Sequence, residues 1–128
     1  MNVIKTNWIN ILGVFLATFV FAVCSNLLEV NSSQNFFQSI FSSLILICFY
    51  GVMFWALFAL LLVIFDMIFI VKRRNNLKLM LLVEWLIICI PFIYWTIRFK
   101  QWIFLVAILT FLITQLLREK TIKNIINK

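Results

Sequence analysis

Two carboxylic acids stand inside long apolar runs. Asp66 and Glu84 each lie nine residues from Asn75, in the basic connector Lys72-Arg73-Arg74-Asn75-Asn76-Leu77-Lys78. If the flanking runs are an antiparallel pair of membrane helices, the two acids share nearly one depth, one on each helix. A charge near a helix centre in lipid costs about 2.5–3.5 kcal/mol on insertion scales, so such groups must face protein, water or a partner. Two chemistries suit them. In one, they are ion-pair members: Asp66 with Arg73 or Arg74, and Glu84 with a base of the same connector or of a neighbouring subunit, fixing register and oligomeric state. In the other, two carboxylates at one depth share a proton or hold a cation. Each acid is six residues from a connector lysine, about 9 Å along a helix axis. That shallow depth favours ion pairing over a central transport site.

The elements that carry the acids follow from composition. Of 128 residues, 66% are hydrophobic and 12% charged. A soluble domain averages about 45–50% apolar and about 25% charged, so the excess here needs a bilayer to cover it. Only 2 glycines and 1 proline interrupt the chain, and long helices are the natural outcome. The reading is an all-α polytopic membrane protein, one transmembrane domain over 1–128. Its four spans, about 8–28, 41–71, 77–97 and 102–117, form two antiparallel hairpins. The tail 118–128 either continues the fourth helix or lies on the inner leaflet. The first run ends without a cleavage pattern and reads as a retained span. The second, at 31 residues, would reach about 46 Å, so it must tilt, kink or rise above the membrane.

Orientation follows from the basic residues. Lys5, Lys72, Arg73, Arg74, Lys78, Arg118, Lys120, Lys123 and Lys128 fall on one side, and Arg98 and Lys100 on the other. That asymmetry predicts both termini and the connector in the cytoplasm. The short link Arg98-Phe99-Lys100 forces the last two helices into a hairpin. Trp8, Trp95 and Trp102 sit at span ends, as interfacial anchors do. Trp55 and Trp85 lie deeper and need packing partners. A sequon, Asn31-Ser32-Ser33, carries little weight.

At 100° per residue, Cys48, Gly51, Trp55, Ala59, Leu62 and Asp66 share one stripe of the second span. Glu84, Ile88, Pro91 and Trp95 share a face of the third, Asn10, Gly13 and Ala17 of the first, and Phe111, Gln115 and Arg118 of the fourth. Gly13, Ala17, Gly51 and Ala59 are small enough for close helix packing. The connector bases Lys72, Arg73, Arg74 and Lys78, with Arg118, Lys120 and Lys123 of the tail, form the surface for a partner or for lipid phosphate.

Enzyme motifs are missing. There is no histidine, no Cys-x-x-Cys among Cys24, Cys48 and Cys89, no phosphate loop and no nucleophile elbow. No catalytic residue, metal or cofactor is expected. Small multidrug exporters have a similar span count but rest on a glutamate in the first span, where this chain has none before Glu29. Over its whole length the chain resembles the small four-span membrane subunit of the Kiwa type of bacterial anti-phage defence, in length, layout and lack of catalytic motifs. The resemblance implies an oligomer in the inner membrane that senses phage attack and works with a cytoplasmic, DNA-binding partner. It implies no direct nucleic-acid binding. Two other functions share the layout: an ion or proton channel or transporter using Asp66 and Glu84, and a toxin- or bacteriocin-type immunity protein.

Overall fold

The computed structural model describes residues 2–29, 33, 35–70, 72 and 76–128. All regular structure among them is helical: α1 (Asn2–Lys5), α2 (Trp8–Leu28), α3 (Phe36–Ile45), α4 (Val52–Phe65), α5 (Leu77–Phe99) and α6 (Ile103–Ile126). Two π-helical turns, Leu46–Tyr50 and Asp66–Ile70, precede and follow α4. Three stretches, Val3–Leu28, Val52–Ile70 and Leu77–Phe99, are long and apolar enough to cross a membrane. Their outer faces are apolar too: Val20, Met53, Leu86 and Ile97 are all exposed. So continuous an apolar surface does not suit water and does suit acyl chains. The chain has the build of a multi-pass membrane protein.

Side-chain pairs give the arrangement of the helices. Asn26 meets Ser43 towards one end of α2 and Asn7 meets Asp66 at the other, so α2 runs antiparallel to the 36–70 segment. Phe58 packs on Phe92, and Phe54 on Trp95, so that segment is antiparallel to α5. Trp85 donates to the Ile108 carbonyl and Phe92 touches Phe104, so α5 is antiparallel to α6. Asn10 reaches Gln115, closing α6 back onto α2. Val3, Ile70, Leu77, Leu81 and Ile122 form one small cluster. It gathers the N-terminal helix, both flanks of the basic connector and the end of α6 at one end of the bundle.

The second apolar run begins at Phe36, five residues before the expected 41, and is bent rather than merely tilted. The Gly51 amide bonds back to the Leu46 carbonyl, five residues earlier, at 3.2 Å. A Cβ on Gly51 would overlap the Ile47 carbonyl oxygen. Gly51 therefore serves the wide turn of its own chain, a correction to its expected role in admitting a neighbouring helix. The wide turn also moves the buried stripe. Ser39, Ser43 and Ile47 are buried before it, and Phe58, Leu62, Asp66 and Ile70 after it, whereas Cys48 is exposed. A spacing of four drifts by about 40° per step in a 3.6-residue helix, and the π turns wind that drift back. Ala59 and Ala17 are half-buried. Gly13 is a true packing glycine, since a Cβ there would run into the Thr114 methyl of α6.

α6 does not stop at 117. It continues unbroken through Arg118 to Ile126, with Ile122 buried. The larger apolar core lies on the far side of Arg118 from the termini. There Val14, Phe58, Leu62, Ile88, Phe92, Ala107 and Phe111 interlock. Trp95 joins this aromatic layer against Phe54, with ring centroids 4.5 Å apart, instead of standing free as an anchor. Trp8 and Trp102 are exposed, as anchors are. Trp85 and Trp55 find the packing partners their depth demanded, Trp55 against Phe15 and Phe58.

Candidate functional site: a sealed ring of polar side chains

Between the two apolar clusters lies a polar layer to which all four long helical segments contribute. Its centre is Arg118. The guanidinium Nη2 donates to Asp66 Oδ2 at 2.5 Å and to the Val3 carbonyl at 3.3 Å. Nε donates to Thr6 Oγ1 at 2.7 Å. Nη1 reaches Gln115 Oε1 at 3.5 Å and stands 3.8 Å from Glu84 Oε2. A ring of amides closes around it. Asn7 Nδ2 donates to Asp66 Oδ2 at 2.5 Å, and Asn10 Nδ2 donates to Asn7 Oδ1 at 3.4 Å and Gln115 Oε1 at 3.1 Å. Gln115 Nε2 donates to Glu84 Oε2 at 3.1 Å. Asn10, Asp66, Glu84 and Arg118 are 0% exposed.

Local structure sets each member. The chain breaks helical continuity at Thr6 and Asn7, between α1 and α2. Thr6 Oγ1 donates to the Val3 carbonyl at 2.6 Å, which leaves its lone pairs for Arg118 and folds α1 across the mouth of the site. Asn7 and Asn10 are three apart and share a face. Asp66 opens the second π turn, a geometry that re-aims side chains. Glu84 is in register with Leu81 and Ile88 of α5, and Arg118 with Phe111, Gln115 and Ile122 of α6; all are buried.

The structure brings Asp66 and Glu84 to one guanidinium, and that base is Arg118. Arg118 was expected both on a stripe with Phe111 and Gln115 and among the tail bases facing a partner or lipid; because α6 continues past 117, it lies on that stripe and points into the bundle. Arg73 and Arg74, the expected partners of Asp66, lie outside the described residues, as do Asn31 and Ser32 of the sequon. Lys72 and Lys78 are exposed and away from the ring, and so are Lys120 and Lys123. Lys123 pairs with Glu119 one turn back, at 2.5 Å. Sequence reasoning missed Thr6 and Asn7. The available signal was the spacing of Asn7 to Asn10, two amides on one face at the start of an apolar run.

This assembly holds charge; it offers no activated nucleophile. Among the described residues no three His, Cys, Asp or Glu side chains gather as a metal site. At the opposite end an apolar cavity of about 660 Å³ opens beside the Gly51 bend, walled by Tyr50, Phe54, Trp55, Phe58 and Phe104. Comparisons with protein-family models, with curated proteins and with solved structures give no match.

Proposed function

We propose that this chain is a four-span protein of the bacterial inner membrane with both termini and the basic connector in the cytoplasm. In this reading it is a non-enzymatic, oligomeric subunit that senses phage infection or another envelope perturbation and passes it to a cytoplasmic partner. One observation supports it above others: a single side chain, Arg118, ties α1–α2, the Asp66 turn, α5 and α6 together. It does so at the end of the bundle that also carries Lys5, Lys78, Lys120 and Lys123, all exposed. A tilt or slide of any one helix strains contacts shared by the rest, and packed helices respond by switching between discrete arrangements. The exposed bases beside that knot, with Lys72, are the surface an acidic cytoplasmic protein or anionic lipid would meet. The Kiwa-type resemblance adds that the protein partner binds DNA, leaving this chain with no nucleic-acid contact of its own.

The test has two parts. Single cysteines at positions 33 and 72 of a Cys-free variant should label from opposite sides of the membrane, 72 from the cytoplasm. The tagged chain, extracted in mild detergent, should purify as an oligomer with a cytoplasmic protein that is lost when Lys72, Lys78, Lys120 and Lys123 are changed to Glu. A monomer without partner, giving acid-dependent ion flux in liposomes, would replace this reading with a channel or transporter.

A further inference from the structure

We propose that the polar ring is a binding site for one monovalent cation, a proton or a sodium ion, held by Asn10, Asp66 and Glu84. The inference rests on the membrane-spanning reading above, which surrounds the ring with low dielectric, but not on the partner.

Charge comes first. Two carboxylates meet one guanidinium, so among the described residues the ring carries one uncompensated negative charge. Every charged member is fully buried, with an apolar cluster on either side. An unbalanced charge in such a place is the costliest arrangement a helix bundle can hold. The groups facing it complete the count: Thr6, Asn7 and Asn10 from the first segment, Asp66 from the second, Glu84 from α5, Gln115 and Arg118 from α6. Among the described residues, only the two acids and the one arginine of the ring are charged.

The oxygens come second. Arg118, Asn7 and Gln115 all use Asp66 Oδ2 or Glu84 Oε2. The other carboxylate oxygens, Asp66 Oδ1 and Glu84 Oε1, have no hydrogen-bond partner among the described residues, and neither has Asn10 Oδ1. Buried acceptors of this kind are normally satisfied. Flipping the Asn10 amide would not help. Its nitrogen serves the oxygens of Asn7 and Gln115, whose own nitrogens are committed to Asp66 and Glu84. All three free oxygens therefore belong to side chains of one hydrogen-bonded ring and each lacks a donor, and the two on carboxylates also carry the unbalanced charge. A divalent ion would overshoot the balance. A proton restores neutrality on a single carboxyl oxygen, and a sodium ion restores it by drawing on the ring's other oxygens to complete its coordination.

The experiment is a melt of the purified chain in detergent, followed by tryptophan fluorescence. One arm lowers pH from 8.5 to 5 in choline chloride. The other replaces choline by sodium at pH 8.5. One arm should raise the melting temperature by about 11 °C, the size expected at a hundred times the dissociation constant. The pH arm responding identifies the proton, the sodium arm the metal ion. Glu84→Gln removes the excess charge and should be flat in both arms. Asp66→Asn, which removes the same charge from the other side, should be flat too. A wild-type melt unmoved in both arms, or a response that survives in both variants, overturns the proposal. Partner capture at fixed pH and salt is read separately, so the two failures are distinguishable.

Discussion

Replacing Arg118 by Gln should be the most damaging single change in the chain. The guanidinium makes hydrogen bonds to Asp66, Thr6, the Val3 carbonyl and Gln115, and stands 3.8 Å from Glu84. Without it two buried carboxylates are left with no charged partner among the described residues. Removing one partner of a buried pair costs about 3–5 kcal/mol, and four lost donor contacts place this site near the middle of that range or above it. At roughly 4 °C per kcal/mol for a chain of this size, the melting temperature should fall by about 16 °C. The assay is thermal unfolding in detergent, checked by size-exclusion chromatography after heating. The decisive comparison is the triple variant Asp66→Leu, Glu84→Met, Arg118→Met. It removes every charge and refills the ring with apolar side chains, and hydrophobic replacements of buried ionic triads at similar volume are often neutral or better. It should recover to within about 1 kcal/mol of wild type, or about 4 °C. If Arg118→Gln melts within 4 °C of wild type, or the triple variant melts as low as the single, the network does not hold the bundle together.

Three further outcomes follow from packing. Gly13→Leu drives a branched side chain into Thr114 of α6 and should cost about 1–3 kcal/mol, read as a lowered melting point. Phe58→Ala loses three edge-on ring contacts, to Phe111 at 5.1 Å, Phe92 at 5.7 Å and Trp55 at 6.1 Å. Lipid is as apolar as the core, so the loss is packing alone, about 1.5–4.5 kcal/mol at 0.5–1.5 per ring pair, visible in the same melt. Lys123→Gln breaks only the exposed pair with Glu119 and should move the melting point by less than 2 °C, at under about 0.5 kcal/mol. A larger drop would mean that α6 depends on that surface pair.

Much of the scaffold was legible in the residues. Apolar runs with 2 glycines and 1 proline can satisfy their backbone only as helices once water is excluded, and a three-residue link between runs leaves only a hairpin. The depth of Asp66 and Glu84 marked them as members of one site, because carboxylates do not survive there unpartnered. Even the faces of α6 and the start of α2 came out in part, since Phe111, Gln115, Arg118 and Asn10 are buried. The second run was harder to read. A stripe drawn at 100° per residue through Cys48 and Gly51 assumed an unbroken α-helix, and the wide turn at Leu46–Tyr50 changed the phase.

What the residue order determined was local and additive: helix-forming runs, their length against a bilayer, the sign of charge at each end, and the rarity of a buried acid. What only the tertiary structure decided was which base answers those acids. Arg118 lies 52 positions from Asp66 in the chain, and nearer bases in the connector looked the natural choice. Rotation and register between helices select the partner, and these depend on where α6 ends, on a π turn at Asp66 and on a break at Thr6–Asn7. None of the three is written in hydrophobic periodicity, because a fraction of a turn changes which side chains meet while leaving the apolar pattern almost untouched.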